Sequence, residues 1–241
     1  MPPRSTPRSM MKSASIGLGL TLILLAGCVG PGSRMPSHKA AESPMKLKKI
    51  TTVSDSLTNS DPHNWIALVG KELGVATQPE AHGGWTTTSY FRERLQHEAW
   101  ANLPADADLC IILIGSNDLF EDAGGSEKSV QAAVAGVQKL AAHVETKSPG
   151  VRFMLAAPPI VCLKNVKVEN SLPQRRIDQY TPAMLARLSQ AYRELAARKG
   201  WLFVDLQPVL SEDDFVDSAH PNNEGNRKIA AAVVRAIRQS P

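Results

Sequence analysis

The sequence predicts an α/β fold with a parallel five-stranded sheet that is covered by helices on both faces. The chain has 241 residues, of which 43% are hydrophobic and 21% charged, a composition typical of a globular protein. Short apolar runs alternate along the chain with amphipathic stretches. This alternation of strand and helix favours right-handed crossovers between parallel strands, and functional groups then collect at the carboxyl ends of those strands.

Five strands and five helices are predicted from these patterns. The strands are short apolar runs at 49–53, 74–77, 109–114, 152–157 and 202–205. The helices are longer amphipathic stretches at 65–73, 89–101, 126–145, 182–199 and 223–238. Boundary residues support two of the helices, because Ser126 precedes Glu127 at the start of the third and Gly200 follows Lys199 at the end of the fourth.

Residues 1–27 have the pattern of an export signal. They contain Arg4, Arg8 and Lys12 and no acidic residue, and an apolar run at 14–26 follows these charges. That run is shorter than the roughly 20 residues of a membrane-spanning helix, which favours a cleaved signal.

The segment LAGC at 25–28 resembles the bacterial lipobox, in which the cysteine is diacylated. This resemblance implies a lipid anchor at Cys28 and a place in the bacterial cell envelope. Val29 stands where an aspartate would retain such a protein in the inner membrane, which favours the outer membrane, facing the periplasm. The alternative is a plain secretory signal followed by an accidental cysteine.

Residues 28–46 are predicted to be a flexible, lipidated tether, and residues 47–241 the folded domain. The tether segment is rich in proline, glycine and serine and cannot bury enough apolar area to offset its ordering entropy. The sequence leaves the oligomeric state of the domain open.

The charge of the chain gives no sign of a nucleic-acid partner. The formal net charge is +4 and the pI is about 9.0. Removal of residues 1–27 leaves 24 basic residues against 23 acidic ones, a net charge of +1. The remaining chain holds no block of Lys and Arg and no interleaved aromatic platform, which are the features of a nucleic-acid-binding surface.

No metal or other cofactor is predicted. Five histidines have neither an i,i+4 histidine partner nor a cysteine nearby in the sequence, as a zinc site would need: His38, His63, His82, His97 and His143. Cys110 and Cys162 are predicted to be unpaired thiols. One lies near the start of the third strand and the other beyond the end of the fourth, roughly 30 Å apart along the sheet.

Four polar segments stand after the first three strands and ahead of the last helix. They are SDSLT at 54–58, HGGWTT at 82–87, GSNDL at 115–119 and DSAHP at 217–221. In this order and spacing they resemble the SGNH or GDSL hydrolase family. The resemblance implies a flavodoxin-like three-layer α/β/α fold with strand order 2-1-3-4-5 and the hydrolysis of esters without a cofactor.

Matched residue by residue, the resemblance implies a catalytic triad of Ser56, Asp217 and His220. A serine hydroxyl is a poor nucleophile until a base removes its proton, and Asp217 is within one tight turn of the His220 imidazole. For the oxyanion, the resemblance implies the backbone N–H groups of Ser56 and Gly84 and the side-chain amide of Asn117. Taken singly, these residues have common structural alternatives as helix caps or turn residues.

Carboxylic esters are the expected substrates. Trp85-Thr86-Thr87 and Pro158-Pro159 resemble the small bacterial esterase and lysophospholipase-like branch of the family. Acyl, aryl and lysophospholipid esters and the O-acetyl groups of glycans all fit the motifs, and Trp85 and His82 are predicted to contact the substrate. The long connection at 161–180 predicts a binding segment, with a solvated basic loop as the alternative.

Two positions depart from the family pattern. Ser54 stands in place of the usual glycine, and Pro79 in place of an asparagine that is often found there. Serine is expected to be tolerated if its φ angle is not positive. A different functional class stays open, in which the chain is a catalytically silent envelope lipoprotein that acts as a binding or scaffold module.

Overall fold

Five parallel strands form the central sheet of the structure, a computed structural model that describes residues 46–240 apart from Gln96, Ala123 and 166–176. The strands are β1 Lys49–Ser54, β2 Ala76–Ala81, β3 Leu109–Leu113, β4 Arg152–Ala157 and β5 Leu202–Asp205. Their order is β2-β1-β3-β4-β5, and every neighbouring pair is parallel. The structure confirms both the predicted fold class and the expected strand order.

Helices cover both faces of this sheet. They are α1 Trp65–Leu73, α2 Ser116–Phe120, α3 Glu127–Lys147, α4 Thr181–Lys199 and α5 Asn223–Arg238. The residues of β3 alternate between two hydrophobic clusters: Cys110 and Ile112 pack with α3 and α4, whereas Ile111 and Leu113 pack with α1 and α5. Because both faces of β3 are buried, its apolar run is continuous.

The predicted helix at 89–101 is wrong. The stretch forms two short 3-10 turns followed by further turns, and the 3-10 turns are Ser89–Phe91 and Glu93–Leu95. At the end of this stretch Trp100 has a positive φ angle of 69°, which a helix does not allow. Its backbone N–H (3.2 Å) and that of Asn102 (2.7 Å) donate to Glu80, a fully buried residue of β2, so the Trp100 donor serves a carboxylate instead of a helix.

The second strand is displaced from its predicted position. It spans Ala76–Ala81 rather than 74–77, because Gly74 ends α1 as its C-cap. Pro79 lies inside this strand, and β2 is an edge strand of the sheet. An edge strand tolerates a residue without a backbone N–H, which accounts for proline at a position where the family often has asparagine.

The expected export signal, Cys28 and the tether lie outside the described residues, and they stay predictions, as does the division of the chain at residue 47. Among residues 46–240, apart from the stated gaps, no helix is both long and apolar enough to cross a bilayer. Cys110 and Cys162 are both buried as free thiols, as predicted.

Candidate active site

The carboxyl ends of β1 and β3 border a cavity of about 430 Å³. The strand order reverses at β1, and open α/β sheets bind ligands at such a point. The loops after β1 and β2 contribute Ser56 and Gly84, and the first turn of α2, which follows β3, contributes Asn117. The segment before α5 contributes Asp217 and His220. The structure therefore brings together all five residues predicted for the triad and the oxyanion.

A chain of hydrogen bonds links the three predicted triad residues. The Nε2 atom of His220 lies 2.9 Å from the Ser56 hydroxyl oxygen, and its Nδ1 atom lies 2.7 Å from Oδ2 of Asp217. With Nδ1 donating to the carboxylate, Nε2 is the nitrogen that can accept the serine proton. The arrangement is the one by which an imidazole activates a serine hydroxyl.

The Asp217 carboxylate also organises its own turn. Its Oδ1 atom accepts hydrogen bonds from the backbone N–H groups of Ala219 (2.8 Å) and His220 (2.7 Å). Partial burial works to raise the pKa of this carboxyl, but the bonds from Ala219 and His220 outweigh burial and hold its pKa below the ordinary value. Asp217 is therefore ionised throughout the neutral range and can stabilise an imidazolium.

Two buried residues tie the serine loop to the histidine segment. The carbonyl of Leu57, next to Ser56, accepts hydrogen bonds from the indole N–H of Trp65 (3.1 Å) and the amide of Asn64 (3.2 Å). The backbone N–H of Trp65 in turn donates to Asn226 of α5 (3.1 Å). Helix α5 begins directly after the histidine segment, so these bonds help to fix the distance between the two loops.

The loop that carries Gly84 is hydrogen-bonded to α2 next to Asn117, through a contact between Thr87 and Asp118 that we call the Thr87–Asp118 latch. Thr87 donates two hydrogen bonds to the carboxylate of Asp118, from its hydroxyl (2.6 Å) and from its backbone N–H (2.9 Å). The Asn117 amide donates to the carbonyl of Trp85 (3.0 Å). Gly84 has a φ angle of 75°, a conformation that favours glycine. These bonds thus hold two of the three expected oxyanion donors, Gly84 and Asn117, on one side of the cavity.

The turn from β3 into α2 is set by Gly115. Its φ angle is 120°, and a Cβ atom there would lie 2.3 Å from the hydroxyl oxygen of Tyr192. That hydroxyl donates a hydrogen bond to the carbonyl of Ile114 (3.0 Å). Only glycine fits this close approach, and the turn places Asn117 at the cavity.

Residues 51–228 match the family described as GDSL-like Lipase/Acylhydrolase. The chain belongs to this family. No curated protein matches the chain.

Solved structures share the GDSL-family fold at low sequence identity. A carbohydrate acetylesterase family member from Sinorhizobium meliloti is 19% identical, with a TM-score of 0.60 over 80% of this chain and 98% of that one. The aryl esterase of M. smegmatis is 21% identical, with a TM-score of 0.59 over 79% and 98%. A catalytic mutant of an acetylxylan esterase from Geobacillus stearothermophilus is 17% identical, with a TM-score of 0.55 over 79% and 94%.

Ser54 replaces the usual glycine of the GDSL segment without strain. Among the described residues only Trp100 combines a side chain with a positive φ angle, so the backbone at Ser54 does not require glycine. The Ser54 hydroxyl donates to the carbonyl of Leu113 (2.7 Å) and accepts from the hydroxyl of Thr58 (2.8 Å). The substituted residue therefore ties the serine loop to β3.

The side chains of His82 and Trp85 do not line the cavity of this GDSL-family site. Their rings stack on each other with centroids 3.8 Å apart, and the His82 imidazole bonds to the buried carboxylate of Glu80. The side chains of His82 and Trp85, which were predicted to contact the substrate, are thus not among the residues that line the cavity. Their packing supports the loop whose backbone carries Gly84.

Sequence reasoning missed the apolar part of the cavity. It is lined by Leu57, Phe120, Pro158, Pro159, Ile160, Val161, Ile177 and Ala219. Val161 and Ile177 stand near the two ends of the long connection predicted as a binding segment. Its residues 166–176, which include Lys167, Arg175 and Arg176, lie outside the described part of the chain. Lys164 is paired with Asp213 at 2.7 Å, which accounts for one of the basic charges in this connection.

The described residues contain no group of three or more His, Cys, Asp or Glu side chains with the geometry of a metal site.

The Asn117→Ala variant is expected to lower kcat by about 10²- to 10³-fold with little change in KM, since an oxyanion donor acts mainly in the transition state. Steady-state kinetics on an aryl ester would measure this. The matched control is Asn59→Ala, which removes an exposed asparagine outside the cavity. An Asn117→Ala variant that raises KM while keeping kcat would contradict the assignment.

Proposed function

We propose that this chain is a serine ester hydrolase that cleaves carboxylic esters through an acyl-enzyme. The single observation that carries the proposal is the chain of hydrogen bonds from Ser56 to His220 (2.9 Å) and from His220 to Asp217 (2.7 Å) at the edge of a cavity. Membership of the GDSL-like Lipase/Acylhydrolase family supports the same reaction class.

In the proposed first step, the Ser56 oxygen attacks the ester carbonyl while His220 Nε2 takes the hydroxyl proton. The carbonyl oxygen becomes an oxyanion, which the backbone N–H groups of Ser56 and Gly84 and the Asn117 amide would stabilise. As the intermediate collapses, His220 gives the proton to the departing alkoxide and the acyl group stays on Ser56. Water, deprotonated by His220, then releases the carboxylic acid and restores the serine.

The lining of the cavity supports an uncharged, apolar acyl group. Of its described lining residues, only Asp217 and His220 carry ionisable side chains, and both are committed to the triad. The apolar side is formed by residues such as Phe120, Ile160 and Ile177. An ionised acyl group would lose its hydration there without gaining a partner. Simple acyl and aryl esters and lysophospholipids meet this requirement.

Acetylated glycans are the second candidate substrate. Two of the structures that share the fold are described as a carbohydrate acetylesterase family member and an acetylxylan esterase. An acetyl group is also small and uncharged, so the same cavity would admit it. The two classes differ in the alcohol, which is a sugar in one and a lipid or aryl group in the other.

We further propose that the enzyme is a lipoprotein of the bacterial envelope, anchored through Cys28 and facing the periplasm from the outer membrane. The proposal is supported by the basic residues, apolar run and LAGC segment at the start of the chain. Metabolic labelling with a fatty-acid probe, lost in Cys28→Ser, would test it.

A fluorophosphonate probe tests the reaction class, because it reacts covalently with an activated serine. We expect the wild-type protein to be labelled and the Ser56→Ala variant to lose all labelling. The matched control is Ser218→Ala, since Ser218 lines the same cavity but has no hydrogen bond from its hydroxyl to His220. A folded wild-type protein that shows neither labelling nor esterase activity would instead support a silent binding module.

A substrate panel separates the two ester classes. It compares aryl acetate, aryl hexanoate and longer aryl esters with a lysophospholipid and with acetylated xylo-oligosaccharides. Turnover of aryl and lipid esters well above that of the acetylated sugars would support the first class. A strict preference for acetyl on a sugar would support the second.

A further inference from the structure

Asp55 is a buried carboxyl group that the mechanism above does not use. It lies between the end of β1 and Ser56, and only 1% of its surface is exposed. Burial raises the pKa of this carboxyl to about 7, partly offset by hydrogen bonds from Leu57 and Ser116 and by the proximity of His220. Among the described residues, no Lys or Arg contributes to this balance.

The side-chain carboxyl group of Asp55 has three hydrogen-bond partners. Oδ1 accepts from the backbone N–H of Leu57 (3.0 Å), and Oδ2 accepts from the Ser116 hydroxyl and the Asn117 amide, both at 3.3 Å. The Leu57 N–H and the Asn117 amide NH₂ can only donate, whereas the Ser116 hydroxyl can donate or accept. Two of the three partners of the Asp55 carboxyl group therefore donate to it in either protonation state.

The Asn117 amide nitrogen lies between two acceptors. These are the carbonyl of Trp85 at 3.0 Å and the carboxylate of Asp55 at 3.3 Å. Only the NH₂ end of an amide can serve two acceptors, so the pair fixes which end of the side chain lies there. Each hydrogen of the amide faces one of these acceptors. An oxyanion in the cavity would share the hydrogen of the longer bond, the one to Asp55.

We propose that Asp55, in its ionised form, is a positioning residue that sets the orientation of the Asn117 amide for stabilisation of the oxyanion. The inference rests on the proposed esterase function. It explains why a carboxylate is kept beside the nucleophile although burial disfavours its charge. Loss of that charge would weaken the bond to Asp55 and leave the amide held mainly by the Trp85 carbonyl, which would loosen its orientation towards a developing negative charge and slow the chemical step.

Four other titratable groups face Asp55. They are His220 from the segment before α5, Asp118 from α2, Tyr90 from the turn after β2 and Tyr192 from α4. Burial raises the pKa of both tyrosines far above neutrality, so they stay uncharged. Burial also raises the pKa of Asp118, even though Thr87 donates hydrogen bonds to it. His220 and Asp118 are thus the groups whose titration must be separated from that of Asp55.

The slope of the acid limb of the pH profile separates these groups. Protonation of His220 removes the general base, whereas protonation of Asp55 is expected to lower activity about 10- to 100-fold, so the wild-type acid limb should contain a steeper region in which log(kcat/KM) falls by about one to two units more than the loss of His220 alone gives. In Asp55→Asn the side chain no longer titrates, so the acid limb is expected to have a slope of one throughout. We expect kcat at pH 8 to fall about 10- to 100-fold with KM little changed, less than for loss of an oxyanion donor outright.

Measurement of both acid limbs in the Asp118→Asn background controls for the neighbouring carboxylate. Loss of the steeper region upon Asp55→Asn, in both backgrounds, supports the inference. An acid limb of the same shape in wild type and variant overturns it, as does an Asp55→Asn variant with wild-type kcat. The wild-type profile is a test that needs no variant to fold, since a wild-type acid limb with a slope of one throughout overturns the inference by itself. An inactive, unlabelled wild type would instead refute the proposed function.

Discussion

The His220→Ala variant is expected to reduce kcat/KM for ester hydrolysis by about 10⁶-fold, the size of effect seen when the general base of a serine hydrolase is removed. His220 is the only described side chain bonded to the Ser56 hydroxyl, at 2.9 Å, so no second base can take over. The variant should fold normally, because the His220 imidazole is partly exposed and its loss leaves no buried cavity. Initial rates on an aryl ester would measure the change.

The double variant Ser56→Ala with His220→Ala makes the test sharper. The two residues act as one unit, so the double variant is expected to be no slower than either single variant. The matched control is His63→Ala, which removes an exposed histidine outside the 430 Å³ cavity. Additive losses, or a His220→Ala variant within tenfold of wild type, would contradict the assigned role.

The central features of this site could be predicted because they follow from short stretches of chain. Asp217 and His220 are three residues apart, so their hydrogen bond is local and needs only one turn. Ser56 and Asn117 follow neighbouring parallel strands, and parallel strands end at one edge of the sheet. A correct strand order is therefore enough to bring them together.

The contacts that refine the site depend on residues far apart in the sequence. Glu80 accepts from the backbone N–H groups of Trp100, in the last turn of the helix predicted at 89–101, and of Asn102 just beyond it. The Thr87–Asp118 latch joins positions 31 apart. Helix formation follows local periodicity only when the backbone donors are not claimed by a buried tertiary partner, which no short window of sequence reveals.

The Asp217→Asn variant is expected to lower kcat about 10³- to 10⁴-fold. The amide oxygen can still accept from the backbone N–H groups of Ala219 and His220, so the turn keeps its geometry. The amide nitrogen, however, donates to Nδ1 of the imidazole and moves the ring proton to Nε2. The nitrogen that faces Ser56 then carries a proton and cannot accept another.

The pH dependence of this variant distinguishes orientation from charge. The wild-type Asp217 carboxyl has a lowered pKa and stays ionised, so it does not shape the acid limb of the wild-type profile. Replacement by asparagine removes its attraction for the imidazolium, and we expect the acid limb to shift to lower pH. Since the Asp217 side chain is half exposed (51%), solvent screens part of that attraction and the shift should be small. A large loss of kcat with a small shift would identify control of the tautomer as the main role of Asp217, whereas nearly full activity would remove it from the triad.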